Sequence, residues 1–482
     1  MSVIAGRRRG GTIAAALAAV CVLAAGCGGD EREPAIGTAT LAPIPASALV
    51  ALHLSTDTGR GPVRVGGKVA RRLPSWPALQ RDLLRRASAD GCGLDLRRRP
   101  GDELTFALLP VRGGASTPLL ITDAPAKGVR DVPGPCGSLV VRRIGDLVAV
   151  GEPAGVQAAA DVAAGRRPAL IATPAYRRAV AGLPGERLLD AYASARGTRD
   201  LLAPLGGLWA TLAGLIDTPG LRAAAGALVP RDDGATLVMR RIAVSDVRTP
   251  VFRPTLQDVA PADTLTYVAS AELGTALERF LLLAERGAGN APAPAVERFT
   301  ALSRLGRESA TVVGPGSDGI TTTLLSRIEN PERVRAAMTA IEPDLTRLVG
   351  AGGVAAWADA APGGLRARTL ADAPGRALSW AIDGNTLIMS TSLEGITAVT
   401  GDEPRLGDAR AFDAVTENPR NPITSLVFLD PNQLLRLGAD TGIGPAGALE
   451  GSRRDLAKVR AIGVTTSGTS RESTVDLSLW IP

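Results

Sequence analysis

The chain has 482 residues, 45% of them hydrophobic and 21% charged, a composition that excludes a disordered protein and sets two domains as the natural expectation. The formal charge of +6 shrinks for a chain starting at Cys27, because Arg7, Arg8 and Arg9 precede that residue and no acid does; 51 basic and 48 acidic residues then leave +3, too little and too scattered for a nucleic-acid partner. Aromatics make up only 3%, so any core rests on Ala, Leu, Val and Ile.

MSVIAGRRRGGT is a basic start, and IAAALAAVCVLAAG, an apolar run of 14 residues, follows it. Residues 1–26 thus have the layout of a secretory signal, with an apolar run too short to span a bilayer comfortably. Leu23, Ala24, Ala25, Gly26 and Cys27 fill a pattern that resembles the bacterial lipoprotein signal, although Ala24 stands where many such signals carry leucine. The resemblance implies that Cys27 becomes the N-terminus, takes a diacylglycerol thioether, and holds the protein outside the cytoplasm on the cell membrane. The competing reading is an ordinary secretory signal with a chance cysteine near its cut site. At about 0.8 kcal/mol per buried methylene, two or three acyl chains anchor a protein where one does not. Residues 27–44, polar and then punctuated by proline, read as a tether.

Cys21 leaves with the signal, so Cys92 (in ADGCGLD) and Cys136 (in PGPCGSL) are the body's two thiols, a candidate disulfide in an exported chain, the alternative being two free thiols. Two cysteines and one histidine cannot complete a four-ligand zinc site without carboxylates, and neither a metal nor another cofactor is expected.

The body runs twice through one plan. PASALVALHLSTD (45–57) and PADTLTYVASAEL (261–273) each lead from a Pro-Ala turn into an alternating strand. RIGDLVAVGEPAGVQAAADVAAG (143–165) matches AIDGNTLIMSTSLEGITAVTGDE (381–403) as strand, two-residue turn, strand and short helix. A third block, 172–202 against 407–437, carries a helix with Tyr176 or Phe412, then a strand at about 186–194 or 423–429. Further strands are expected at 103–109, 117–122, 138–151, 235–243, 308–314, 319–328, 378–391, 460–468 and 472–481, and helices at 76–87 and 272–286. The predicted class is α+β: two duplicated domains, 45–245 and 260–482, each a mainly antiparallel sheet with helices packed on one face. The Pro-Ala openings, the DLVAVG hairpin and the TPAYRRAVAGLP-to-LLDAYAS block resemble a family of bacterial envelope proteins, common in actinobacteria and cyanobacteria, described only as a domain of unknown function. The likeness spans most of 45–480 and implies no activity and no catalytic residue.

Candidate chemistry is sparse. His53 is the only histidine; it shares a strand face with Ala51 and Ser55, and any Ser-His-acid triad would have to pass through it. No G-x-S-x-G or S-x-x-K motif is present. VAVGEPAGVQAAA (148–160) lacks G-x-G-x-x-G, and GPGSDG (314–319) lacks the Lys-Ser/Thr of a P-loop, so both read as turns. RDDG (231–234) reads as a hairpin turn and Asp430-Pro431 as a helix start. LLAPLGGLWATLAGLIDTPGLRAAAGALV (201–229) carries two charges and reads as a pair of buried helices. These features point to a non-enzymatic envelope lipoprotein that binds a lipid or a protein partner or serves structurally. The alternative is a carrier or sensor of hydrophobic ligands, with an apolar cavity under helices 201–229.

Overall fold

Val50, Leu52 and Leu54 alternate with small or polar residues, and this stretch forms an interior strand, paired on both edges. The computed structural model describes residues 38–482 apart from 88–100, 112–115, 126–128, 131–133, 137–138, 203–219, 245–249, 272–305, 318, 350–355, 374–375, 417–421 and 442–452. The chain divides into two units: Met1–Val247 with Thr469–Asp476 and Ile481–Pro482, and Arg248–Gly468 with Leu477–Trp480.

The first unit contains β1 (Val50–Ser55), α1 (Gly61–Ala70), α2 (Trp76–Ala87), β2 (Glu103–Pro110), β3 (Ser116–Thr122), β4 (Gly134–Cys136), β5 (Leu139–Ile144) and β6 (Leu147–Gly151). After these come α3 (Pro153–Ala163), α4 (Pro174–Val180), β7 (Leu189–Ser194), β8 (Leu221–Arg231) and β9 (Gly234–Ala243). The strands pair in the order β4-β5-β6-β3-β2-β1-β7-β8-β9, every pair antiparallel. Two-residue turns close the hairpins: Gly145-Asp146, with Gly145 at φ +61°, and Asp232-Asp233 of the RDDG stretch. All six residues of β1 are buried. One face packs Leu52, Leu54, Leu104, Phe106 and Val148 against Val63 of α1. The other packs Ala51, Ala107, Ile121 and Ala225 against Leu41, Ile44, Val156 of α3 and Tyr176 of α4.

The second unit contains β10 (Thr266–Ser270), β11 (Gly306–Gly316), β12 (Gly319–Ile328), α5 (Pro331–Val349), β13 (Trp357–Ala360), β14 (Ala367–Ala373), β15 (Arg376–Asp383) and β16 (Thr386–Ser390). After these come α6 (Leu393–Thr400), α7 (Arg410–Thr416), β17 (Ile423–Leu429), α8 (Pro431–Thr441) and β18 (Ala461–Gly468). The order is β13-β14-β15-β16-β12-β11-β10-β17-β18, again antiparallel throughout. Ile396 and Val399 of α6 join a core with Leu325 and Ala381, while Val334 and Met338 of α5 join another with Leu324, Leu378 and Trp380. The last strand, β19, runs Glu472–Trp480.

Mainly antiparallel sheet with helices is therefore the observed class, but two expectations need correction. Helices pack on both faces of the strands in each unit, because the interior strands carry small or apolar residues in both phases of the alternation and either face, left open, would sit against water. The expected helical pair at 201–229 does not hold at its end, since Leu221–Arg231 is strand β8, buried at Leu221 and Ala223–Ala227. The RDDG turn pairs this run with β9 residue by residue, and β7 takes its other edge, so ladder bonds override the helix preference of three successive alanines. The small side chains also let α1 approach closely: a Cβ at Gly66 would lie 3.0 Å from Leu188 and 3.6 Å from Pro230. Residues 203–219 of that stretch, like the expected helix 272–286, lie outside the described residues.

Candidate functional site: a histidine between two carboxylates

Strand pairing brings acids to both sides of the only histidine. In β1, His53 stands opposite Thr105 of β2 and opposite Asp190 of β7, and Ser55 stands opposite Glu103. The His53 side chain is fully buried on the face it shares with Ala51, as its alternation requires. Its Nε2 lies 3.5 Å from Glu103 Oε2 and its Nδ1 3.5 Å from Asp190 Oδ2. These separations are at the outer limit of a hydrogen bond, and neither ring nitrogen makes one of good geometry. Charge attraction is what joins the three groups.

Arginines and a threonine hold the acids in turn. Asp190 receives both Arg187 Nε and, at 3.3 Å, Arg187 Nη2, while Arg60 Nη2 donates to the Arg187 carbonyl at 3.1 Å. The Thr40 hydroxyl lies 2.8 Å from that of Thr105, and Glu103 accepts from the backbone and the hydroxyl of Thr40. Tyr176 and Tyr192 close the neighbouring stretch of the face, their rings 5.4 Å apart. Burial pushes the Tyr176 hydroxyl up to about 12, so it stays protonated.

Burial alone would lower the proton affinity of His53, but the adjoining Asp190 and Glu103 outweigh it and hold its pKa above the ordinary histidine value. Burial pushes both carboxyls up, and their partners overcome it: His53 and then Thr40 leave Glu103 below its usual range, His53 and Arg187 leave Asp190 below its own. The cluster is thus built to hold an imidazolium between two carboxylates. The His53 side chain is fully buried and that of Asp190 nearly so, while Glu103 reaches partly to the surface.

The remaining sequence candidates fall into simple roles. Cys27 and Cys92 lie outside the described residues, so the Cys92–Cys136 pairing does too; Cys136 ends the short strand β4. Gly151 ends β6, a hairpin strand, where a Cβ would come 2.6 Å from the Pro118 carbonyl oxygen; close backbone approach explains this glycine without a phosphate. GPGSDG spans the β11–β12 turn, where Ser317 N–H donates to Glu394 at 3.0 Å. Asp430 Oδ1 accepts from the N–H groups of Asn432 and Gln433, each at 3.0 Å, and so starts α8. Among the described residues, no three His, Cys, Asp or Glu side chains converge as a metal would require.

Sequence reading missed Glu103 and Asp190 as partners of His53, with Arg187 on Asp190 and Arg60 on Arg187 behind them. The available signal was an acid in a core-facing phase of an apolar strand, as in LLDAYAS and ELTFALLP. No family model, curated protein or solved structure matches the chain.

Proposed function

We propose that the protein is an extracytoplasmic lipoprotein, anchored to the cell membrane through a lipidated Cys27, whose two duplicated sheet domains serve a binding or structural role in the envelope, with a lipid or an envelope protein as partner. The anchor reading is carried by LAAGCGG after a basic start and a short apolar run, followed by the polar stretch GGDEREP. The non-catalytic reading is supported by the sealing of the sole histidine among charges that satisfy one another. A resemblance to envelope proteins of actinobacteria and cyanobacteria fits the same picture.

Duplication is supported by correspondences finer than strand order. Leu170 N–H donates to the Ile44 carbonyl and Leu406 N–H to that of Ala260; Ala46 N–H donates to Pro168 and Ala262 N–H to Pro404. Isolated bridges join Pro45 to Ala169 and Pro261 to Arg405. Tyr176 and Tyr192 meet at 5.4 Å and 56°, Phe412 and Phe428 at 5.5 Å and 57°. The common register makes Glu308 the counterpart of Glu103, and places Ala269, Ala310 and Leu426 where the first unit has His53, Thr105 and Asp190.

The experiment is fractionation of cells producing the wild-type chain and Cys27→Ser. The wild type should sediment with membranes and enter detergent, and the variant should be released or remain as an uncut precursor. A processed, unlipidated Cys27→Ser chain retained on membranes like the wild type would overturn the anchor.

A further inference from the structure

Thr38–Ile44 is the first described stretch after Cys27, and four of its residues (Thr40, Leu41, Pro43 and Ile44) are buried against the first sheet. Its polar grip is concentrated at Thr40, which joins Thr105 and Glu103, and its far end is fixed by Leu170 N–H on the Ile44 carbonyl at 2.7 Å. Glu103 therefore serves two clients at once: the lead-in segment and His53. The matching glutamate of the second unit serves one. Glu308 accepts Thr255 N–H at 2.9 Å, the Thr255 hydroxyl at 2.7 Å and Leu256 N–H at 3.0 Å, with an alanine at the histidine position.

We propose that His53, Glu103 and Thr40 form a proton-operated latch, in which the charge on His53 sets how firmly the segment leading from the Cys27 tether is held on the first sheet.

The groups around His53 define how the latch works. Glu103 and Thr105 face it from β2 and Asp190 from β7; Arg187 stands behind Asp190, Arg60 behind Arg187, and Tyr176 lies on the helix above. When His53 loses its proton, Asp190 keeps the Arg187 guanidinium. Glu103 loses the cation beside it, while Arg60 acts on it from farther off. A half-buried carboxylate without a close counter-charge draws in water or a new partner, and the Thr40 contact opens. The sign follows from the shifts. His53, raised in the folded state, contributes its hold below the ordinary histidine pKa, and that hold is lost as pH rises through the folded value. Glu103, lowered in the folded state, contributes above the ordinary carboxylate pKa, and its hold is lost as pH falls through the folded value. The latch is closed between the two. Its position near a membrane anchor rests on Cys27 lipidation; the latch itself does not.

The test uses the full mature chain in detergent micelles. Amide hydrogen exchange, corrected for intrinsic rates, is followed from about pH 5 to about pH 9 in peptides covering 38–46 and 255–262. Protection of 38–46 should fall by up to about tenfold per pH unit above the His53 midpoint, the limit for release of one proton. Protection of 255–262 should stay level over the same range. In His53→Gln the alkaline fall at 38–46 should vanish. A level 38–46 profile in the wild type, or the same fall in His53→Gln, would overturn the latch. If His53→Gln does not fold, NMR of the single, carbon-labelled histidine in the wild type decides: a midpoint above about 6.5 coinciding with the exchange midpoint supports the latch, and any other midpoint, or none, sinks it. Cys27→Ser keeps the exchange profile whether or not it leaves the membrane, so this result and the fractionation result stand apart.

Discussion

Glu308→Ala is the substitution whose cost follows most directly from the geometry. Glu308 is 4% exposed and accepts two backbone N–H groups and the Thr255 hydroxyl, with Arg327 donating to the same hydroxyl at 3.1 Å. Each bond to a charged acceptor contributes about 1.5–3 kcal/mol, and each buried donor left unpaired costs about 1–3 kcal/mol. The terms overlap, because Thr255 and Leu256 move together, so the expected loss is the about 3–5 kcal/mol typical of breaking a buried charged network from one side. In a unit of this size that lowers Tm by about 6–20 °C. Glu308→Gln keeps the shape and one acceptor oxygen and should cost about 1–2 kcal/mol. Urea unfolding followed by tryptophan fluorescence reads this unit well, since Trp357 packs against its core and Trp380 lies within it. A Glu308→Ala loss below about 1 kcal/mol, or a Gln variant as damaged as the Ala variant, would refute the assignment of Glu308 as the clamp on 255–256.

Three further outcomes are expected. Asp190→Asn should destabilise the first unit at neutral pH, and the deficit should shrink as pH falls below about 4, because a carboxyl with a lowered folded pKa loses its contribution there; a deficit independent of pH would contradict this, and thermal melts across pH measure it. Gly197→Ala places a Cβ 2.0 Å from the Leu49 carbonyl oxygen, which already accepts Ser194 N–H, and should cost about 1–3 kcal/mol in urea melts, with displacement of the β1–β7 junction visible as faster amide exchange. Asp430→Ala removes the acceptor for two N–H groups at the start of α8 and should cost about 0.5–2 kcal/mol in the same assay, with Asp430→Ser largely restoring it.

Strands with an unbroken alternation or a two-residue turn were legible in the sequence. The 138–151 stretch resolves into β5 and β6 around Gly145-Asp146, and 423–429 coincides with β17. What failed was local propensity acting against ladders. The alanines at 223–225 favour helix in isolation, and only the turn that follows and two neighbouring strands make them β8. The cover on both faces escaped reading because Ala51 and Ala107 look neutral in a strand yet pack against buried helices. The histidine cluster was half legible: the phase of β1 places His53 beside Ala51. Its partners lie far along the chain at 103 and 190 and meet it through pairing registers that no short motif encodes. The acids inside LLDAYAS and ELTFALLP were the local hints that a cation waited on that face.

The measurement that bears most directly on the account is intact mass spectrometry of the mature protein extracted from membranes, with fragmentation of its N-terminal peptide. The expected chain begins at Cys27, its thiol carrying a diacylglycerol thioether, with no trace of residues 1–26. A mature chain that begins elsewhere, or one that begins at Cys27 with a free thiol, would contradict it.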